Sequence, residues 1–276
     1  MSKLHTRILV DADVVAFRAA SVAEPEVIEW EPGVPTEVDT DVSKAYDAAD
    51  HLVSQITSEV YGDIIMVGSD VANFRKALNP SYKSNRKGRT LPRYLADVHA
   101  HLASNFRYES WTNLEADDVI GIMSNPEYYS AETIIVSPDK DFFTLPGRSI
   151  WRIWTKEESL GIQTVSDADA NLRLFEQILT GDAVDGYKGI NRVGPKTAKK
   201  WLAEWTDHWV ESSGSDVYDD GFYQFLWHCV RCAYARAGVP DEAFTNAWMA
   251  RILRGPDEYR EEDGWVRIWE PTMGVG

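Results

Sequence analysis

Three short apolar runs, each followed within three residues by an aspartate, constrain this chain more than any other feature. Ile8-Leu9-Val10 stops at Asp11, Ile64 to Val67 ends shortly before Asp70, and Ile134-Ile135-Val136 precedes Asp139. Runs this short, rich in β-branched residues, predict buried strands. Helical spacing fills the gaps between them, over residues 12–20, over Val42–Tyr61 with Ala45, Ala49, Leu52 and Ile56 on one face, over 92–105 and over Glu115–Ser124. Strands alternating with helices predict an α/β fold, a mostly parallel sheet with helices on both faces. The carboxyl ends of such strands form the ligand-binding edge. All three aspartates therefore belong to one edge.

Ile150–Trp154 and Ile162–Val165 read as further strands, whereas 21–41, with Pro25, Pro32, Gly33 and Pro35, reads as irregular surface. Beyond residue 167 the pattern is helical only, over 167–180, 195–210, 221–238 and 240–254. The expected organisation is an α/β domain over 1–166 and an all-α domain over 167–276.

Three carboxylates at one sheet edge repel each other unless a cation sits between them. More acids join the set. Glu115 and Asp118 stand at i and i+3 with Asp117 beside them. Asp139 and Asp141 are two residues apart, and Asp182 and Asp185 form another i, i+3 pair. Taken singly, each is accounted for as a helix cap or first-turn residue. Together, Asp11, Asp70, Glu115, Asp117, Asp118, Asp139, Asp141, Asp182 and Asp185 form a candidate ligand set. Oxygen ligands without His or Cys select hard cations, Mg²⁺ or Mn²⁺. Two ions about 4 Å apart, bridging one phosphate, suit so many carboxylates and predict phosphodiester hydrolysis.

The charge map carries the second argument. The 276 residues hold 28 Lys and Arg against 44 Asp and Glu, a net charge of -16, which argues at first sight against nucleic acid. The charge is segregated. Residues 71–96 contain no acid but seven bases: Arg75, Lys76, Lys83, Arg86, Lys87, Arg89 and Arg93. Residues 186–203 contain no acid but Lys188, Arg192, Lys196, Lys199 and Lys200. Residues 21–63 hold eleven acids and one base. Two acid-free runs in so acidic a chain point to an anionic partner. Tyr82, set among cations, suits base stacking while Lys83 and Arg86 meet phosphate. Gly189-Ile190-Asn191-Arg192-Val193-Gly194-Pro195-Lys196-Thr197 reads as a glycine hairpin entering a helix, an anion site for a duplex backbone.

The ordered set Val10-Asp11, Ser69-Asp70, Tyr82-Lys83-x-x-Arg86, Glu115-Ala-Asp-Asp118, Asp139-Lys-Asp141 and Gly181-Asp-x-x-Asp185 with its hairpin resembles the 5′-nuclease (flap endonuclease) superfamily over residues 7–202. Asp185-Gly186-Tyr187, Met249 to Arg254 and Glu258-Tyr259 are most similar to the podoviral T-seven-type 5′→3′ exonucleases. The resemblance implies a PIN-like domain with a basic arch near 71–93, followed by a helix–three-turn–helix domain. It implies two Mg²⁺ ions, the first among Asp11, Asp70, Glu115 and Asp117, the second among Asp118, Asp139, Asp141, Asp182 and Asp185. Lys83 and Arg86 become the cations on the scissile phosphate. Arg75, Tyr82, Lys87, Arg89, Lys188, Arg192, Gly194, Lys196 and Thr197 become nucleic-acid contacts. A K⁺ in the hairpin is implied too, although this chain has Asp185-Gly186 where cellular members carry Asp-Asn, and Arg192-Val193-Gly194 where they carry Gly-Ile-Gly. Substrates so implied are DNA 5′ ends, nicks or flaps, and RNA primers in RNA–DNA hybrids, during phage replication.

Other readings remain open at this level. Asp11-Ala-Asp13 resembles the nucleophile motif of haloacid-dehalogenase phosphatases but leaves the hairpin and Glu115–Asp118 unexplained. A non-catalytic DNA-binding protein and a PIN-type endoribonuclease share parts of the pattern. Cys229 and Cys232 lack a second ligand pair for zinc and are expected in helix packing. Trp201, Trp205 and Trp209, four residues apart, fit a core stripe better than a base-stacking comb. With two cysteines and no long apolar run, a reduced cytoplasmic monomer without a membrane span is expected.

Overall fold

A computed structural model describes residues 6–38, 40–86, 88–129, 131–156 and 160–269. The chain opens with β1 (Arg7–Asp11), which runs directly into α1 (Ala12–Val22); the Asp11 carboxylate caps this helix by accepting from the Val14 amide at 3.2 Å. A hairpin of β2 (Glu26–Glu31) and β3 (Val34–Val38) follows, then α2 (Ser43–Glu59), β4 (Asp63–Val67) and the short α3 (Phe74–Leu78). Next come α4 (Leu95–Asn105), β5 (Arg107–Glu109), α5 (Ala116–Met123), β6 (Thr133–Val136), β7 (Ser149–Trp151) and β8 (Ile162–Thr164). The helical part comprises α6 (Asp167–Thr180), the two-residue ladder β9 (Gly181–Asp182) and β10 (Tyr187–Lys188), then α7 (Pro195–Ser213), α8 (Asp220–Arg236) and α9 (Glu242–Ala250). The chain closes with a ladder of β11 (Tyr259–Arg260) and β12 (Trp265–Val266).

Six strands form one sheet in the order β5-β4-β1-β6-β7-β8, parallel except for the antiparallel edge strand β8. The central strands β1 and β6 are buried on both sides, as their unbroken apolar runs require. One face packs on α1, α2 and α4 through Val15, Ala45, Ala49, Val53 and Leu102; the other packs on α5 through Val119, Ile120 and Met123. A third core, built on Leu174, Phe175, Trp227 and Tyr234, holds α6 to α9 together. Helix α6 touches both, with Ala170 in the sheet core and Ile178 in the helical one.

Three features depart from the sequence reading. Residues 21–41 contain the β2–β3 hairpin, because Pro32 and Gly33, at φ 82, make its turn. The edge strand β5 is polar and three residues long, too short for a period to register. Residues after α9 divide between the cores: Ile252, Leu253 and Val266 return to the sheet core, while Trp269 packs on the helical one. No helix among the described residues is long and apolar enough to cross a membrane.

Candidate active site

The carboxyl edge of β1, β4 and β6 opens into a cleft of about 650 Å³, closed on its far side by the β9–β10 ladder. Asp11, Asp13, Glu115, Asp117, Asp139, Asp141, Asp182 and Asp185 line it, with Lys83, Arg86, Arg18 and Lys140 as cations. Backbone and hydroxyl donors hold the carboxylates in place. Ser137 Oγ donates to Asp11 Oδ2 at 3.0 Å, and the same hydroxyl accepts the Asp139 amide at 3.1 Å. Asp139 caps the turn Lys140–Thr144 by accepting the Asp141 amide at 2.8 Å, and Gln177 Nε2 reaches Asp141 Oδ2 at 3.1 Å. Asp182 Oδ1 accepts from the Val184 amide at 2.6 Å.

These groups repel one another. Burial, then the charges of Asp13 and Asp139, pushes the Asp11 carboxyl up to about 7. Asp117 rises well above the usual carboxylate range, through burial and then Asp139 and Asp11. Burial and Asp139 lift Asp141 to about 6. Glu115 moves the other way: although burial raises it, Arg75 and Lys83 hold it below its ordinary value. The cleft thus has an uncompensated anionic centre at Asp11, Asp117 and Asp139 and a neutralised wall at Glu115 and Asp185. An all-oxygen donor set under mutual repulsion fits a hard divalent cation. Among the described residues no three acidic, His or Cys groups stand close enough to make a ready-closed shell.

Lys83 and Arg86 face that anionic centre from the Ser81–Arg86 turn. Lys83 Nζ pairs with Glu115 and lies 3.8 Å from Asp185 Oδ2, while Arg86 Nη2 pairs with Asp185 Oδ1 at 2.5 Å. The turn is locked: Lys83 sits at φ 53, uncommon for a side-chain-bearing residue, and its amide donates to the Asp185 carbonyl at 2.7 Å. Gly186, at φ 79, permits the approach, since a Cβ there would stand 2.9 Å from the Ser81 carbonyl oxygen.

Four residues expected at the site lie elsewhere. Asp118 is fully buried and chelated by Arg75, whose Nη1 and Nη2 reach its two oxygens at 2.5 and 2.8 Å, so it faces away from the cleft. Glu115 and Asp118 do share one partner, Arg75 Nη1, at 3.5 and 2.5 Å, but Glu115 is the N-cap of α5, with extended backbone, and lines the cleft, whereas Asp118 lies inside the helix and is spent on Arg75. Arg75, 3% exposed, is consumed by the same contact and cannot meet DNA. Tyr82, 4% exposed, offers no ring face for stacking; its hydroxyl donates to Glu115 Oε2 at 2.8 Å and also reaches Asp185 Oδ2 at 3.2 Å. Asp70 turns aside, accepting the Asn113 amide at 2.7 Å and the Val71 amide at 2.7 Å, and does not line the cleft. Lys87 lies outside the described residues.

Sequence reasoning under-weighted Asp13, which lines the cleft and accepts the Ser69 amide at 3.2 Å, quoted Ser69 only within the Ser69-Asp70 motif without a role, and missed Ser137; the two hydroxyls knit the strand ends. Asp13 was visible as a second acid two residues after Asp11, but serines after strands carry no signal of their own. Arg89, Lys188, Arg192, Gly194 and Lys196 are exposed and Thr197 half-buried, all outside the cleft. In the hairpin, Arg192 takes φ 65 and Gly189 packs so tightly that a Cβ would meet Thr180 C at 2.2 Å. Cys229 and Cys232 are free thiols, and burial raises Cys229 to about 11. Trp201, Trp205 and Trp209 pack against the helical core.

Residues 6–169 match the model of the 5′-3′ exonuclease, N-terminal resolvase-like domain. The chain belongs to this 5′-3′ exonuclease family. It is 30% identical over 294 residues to the exonuclease of Escherichia phage T7, spanning 96% of this chain and 93% of that one. It is 24% identical to the 5′-3′ exonuclease of Bacillus subtilis, over 72% of this chain and 70% of that one. Two solved structures share the fold. One is the bacteriophage T5 flap endonuclease in a pseudo-enzyme–product complex with DNA and metal ions, with TM-score 0.54 and 17% identity, covering 89% and 93% of the two chains. The other is the catalytic core of Rad2 with DNA substrate, with TM-score 0.52 and 11% identity, covering 98% and 85%. As a family member the protein is a nuclease that hydrolyses phosphodiester bonds of DNA, which leaves the phosphatase and silent-binder readings without support.

Proposed function

We propose that the protein removes nucleotides from the 5′ ends of duplex or nicked DNA, and of RNA primers in RNA–DNA hybrids, using two Mg²⁺ ions for which Mn²⁺ can substitute. The observation that carries this reading is the segregation of charge within one cleft: eight carboxylates line it while Lys83 and Arg86 face them. Asp11, Glu115, Asp117 and Asp139 would hold one ion; Asp141, Asp182 and Asp185 would hold the other, directly or through water. Bound there, divalent ions supply charge neutralisation for the phosphate and a more acidic water.

The chain's own part is positioning and exchange of charge partners. Lys83 and Arg86 leave Glu115 and Asp185 for the oxygens of the entering phosphate, offsetting the charge that builds as water attacks phosphorus and the ester oxygen departs. Once Lys83 leaves, Glu115 keeps only the longer Arg75 contact and becomes available as a ligand when substrate is present. The exposed bases of the hairpin, Lys188, Arg192 and Lys196, hold the duplex backbone, and K⁺ in that hairpin belongs to the same reading, with no step depending on it. The protein acts as a monomer in the cytoplasm of an infected bacterium.

Incubating 5′-labelled and internally labelled nicked, flap and blunt duplexes with Mg²⁺ tests the proposal. Mononucleotides should appear, activity should vanish with EDTA, and Asp139→Ala should abolish cleavage while retaining DNA binding. Long released flaps would shift the assignment to flap endonuclease; EDTA-resistant cleavage or an active Asp139→Ala variant would overturn the site.

A further inference from the structure

Residues 251–258, which follow α9, leave the helical core and run under the active-site cleft. They meet α5, the Lys140–Thr144 turn and α6, with Arg75 of α3 as a bridge to Asp118 and Glu115. The Leu253 amide donates to Asp118 Oδ1 at 3.1 Å, and the Arg251 carbonyl accepts from Arg75 Nη2 at 2.7 Å. Arg254 Nη1 reaches Asn171 Oδ1 on α6 at 2.7 Å, and its Nη2 reaches the Thr144 carbonyl at 2.8 Å. Glu258, 8% exposed, ties the segment to itself, pairing with Arg251 at 2.6 Å and accepting the Arg254 amide at 2.5 Å. All of these groups are buried.

Each anchored element bears a candidate ligand at its cleft end. Asp118 is the chain neighbour of Asp117. The Thr144 carbonyl closes the turn that Asp139 caps and that contains Asp141. Helix α6 leads directly into Asp182. Arg75, besides chelating Asp118, has Nη1 3.5 Å from Glu115 Oε2. Gly121 shows how closely the segment is fitted: a Cβ on this α5 residue would stand 2.1 Å from the Leu253 carbonyl oxygen.

We infer that the 251–258 segment is a clasp that sets the separation of the cleft carboxylates, with Arg251 and Arg254 as positioning residues and Asp118–Arg75 as its link to Glu115 and Asp117. The inference rests on the two-ion reading of the cleft. A carboxylate pair under mutual repulsion moves apart unless its carriers are fixed from behind, and groups behind a metal site commonly govern affinity and rate by about 10–100-fold.

The test uses Gly121→Ala in the full chain. Alanine favours the helix itself over glycine, so loss of helix does not explain an effect; displacement of the clasp does. Mn²⁺ uptake followed by electron paramagnetic resonance should weaken about tenfold or more, and single-turnover cleavage in saturating Mg²⁺ should slow by about 10–100-fold. Affinity for a 5′-recessed duplex in Ca²⁺ should stay within about twofold, a split that general structural damage would not produce. Asp118→Asn, which keeps the shape and removes the charge that orients Arg75, should behave alike if Gly121→Ala fails to fold. Unchanged Mn²⁺ affinity and rate in a folded variant would overturn the clasp, as would DNA affinity falling in step with the rate. Wild-type protein that binds Mn²⁺ but cleaves no DNA would overturn the nuclease reading and leave the clasp standing on the Mn²⁺ data.

Discussion

At the scale of single residues, the cleft holds aspartates that fold at the expense of their own charge. The ordinary carboxyl value for Asp11 is 3.8, and in the folded protein burial and its acidic neighbours lift it to about 7; Asp141 rises to about 6. Between these values the native state retains protons that the unfolded chain has released, so stability without metal falls as pH rises. Glu115 and Glu258 are held below their ordinary 4.5 by cationic neighbours, and lose their stabilising contribution only as pH drops below that value. The window from pH 5 to 7 therefore carries the raised aspartates, opposed by His99, which burial lowers from its ordinary 6.5 and whose contribution rises with pH. In EDTA the melting temperature should decline across it; with Mg²⁺, which favours the ionised form, the decline should shrink or reverse. Calorimetric scans at half-unit pH steps measure this, and a flat EDTA profile would mean that the aspartates are not opposed as described. Such a feature was only half legible in the sequence. Spacing brought Asp11, Asp70 and Asp139 to one edge, of which Asp70 turns aside to the Val71 and Asn113 amides, and nothing in it separated Asp117, which faces the cleft, from Asp118, which Arg75 consumes. That choice depends on where α5 begins and on a partner 43 residues away.

At the scale of elements, strands long enough to carry an apolar run were readable and those without one were not. Ile8–Val10 and Ile134–Val136 became β1 and β6, paired in parallel at the sheet centre. The β2–β3 hairpin escaped because proline was read as a breaker, although Pro32-Gly33 serves as its turn. The clasp segment was legible only as a resemblance, in Met249 to Arg254 and Glu258-Tyr259; its role escaped because two of its anchors are the Leu253 amide and the Arg251 carbonyl, and the partners of Arg254 lie 83 and 110 residues away. The glycine hairpin is a case where the sequence named the right element but not which glycine it needs. Gly189 and Gly181 touch: a Cβ on Gly181 would lie 2.1 Å from the Gly189 nitrogen, and one on Gly189 would meet the Leu179 carbonyl oxygen at 2.3 Å. These are backbone atoms where the end of α6 meets the base of the β9–β10 ladder that carries Asp182, and they cannot yield. Gly194, with extended φ of -101 and no neighbour within 4 Å of a Cβ, has no such need. Gly189→Ala should cost about 1–3 kcal/mol in urea denaturation and lower cleavage with it, whereas Gly194→Ala should stay within about 0.5 kcal/mol. Equal effects at the two positions would remove the close approach as the reason for the glycine.

At the scale of the whole molecule, a chain of net charge -16 must hold a polyanion. The fold resolves the conflict by position. Eight carboxylates are confined to the cleft, where Lys83 and Arg86 face them, and the β2–β3 hairpin with α2, which packs on the opposite face of the sheet from α5, carries most of a further eleven-acid region. Of the seven bases in residues 71–96, Arg75 is buried and Lys83 and Arg86 turn into the cleft, so this run contributes less to a binding track than its count suggests. Lys188, Arg192 and Lys196 remain exposed on the helical side, and none forms an ion pair among the described residues. Net repulsion opposes long-range steering and is screened by salt, which on its own would let affinity rise as salt is added. Local phosphate contacts release counterions and act in the opposite sense, with log affinity falling against log salt by about 0.9 per contact on duplex DNA. With three hairpin bases and Arg89 in contact, the local term dominates and the slope should be about -3 to -4. Replacing Lys188, Arg192 and Lys196 together by alanine should flatten it by nearly three units while leaving the cleft intact. Fluorescence anisotropy with a nicked duplex in Ca²⁺, from about 50 to 200 mM salt, reads both numbers. A wild-type slope near zero, or a triple variant with the wild-type slope, would place the duplex on some other face of the molecule.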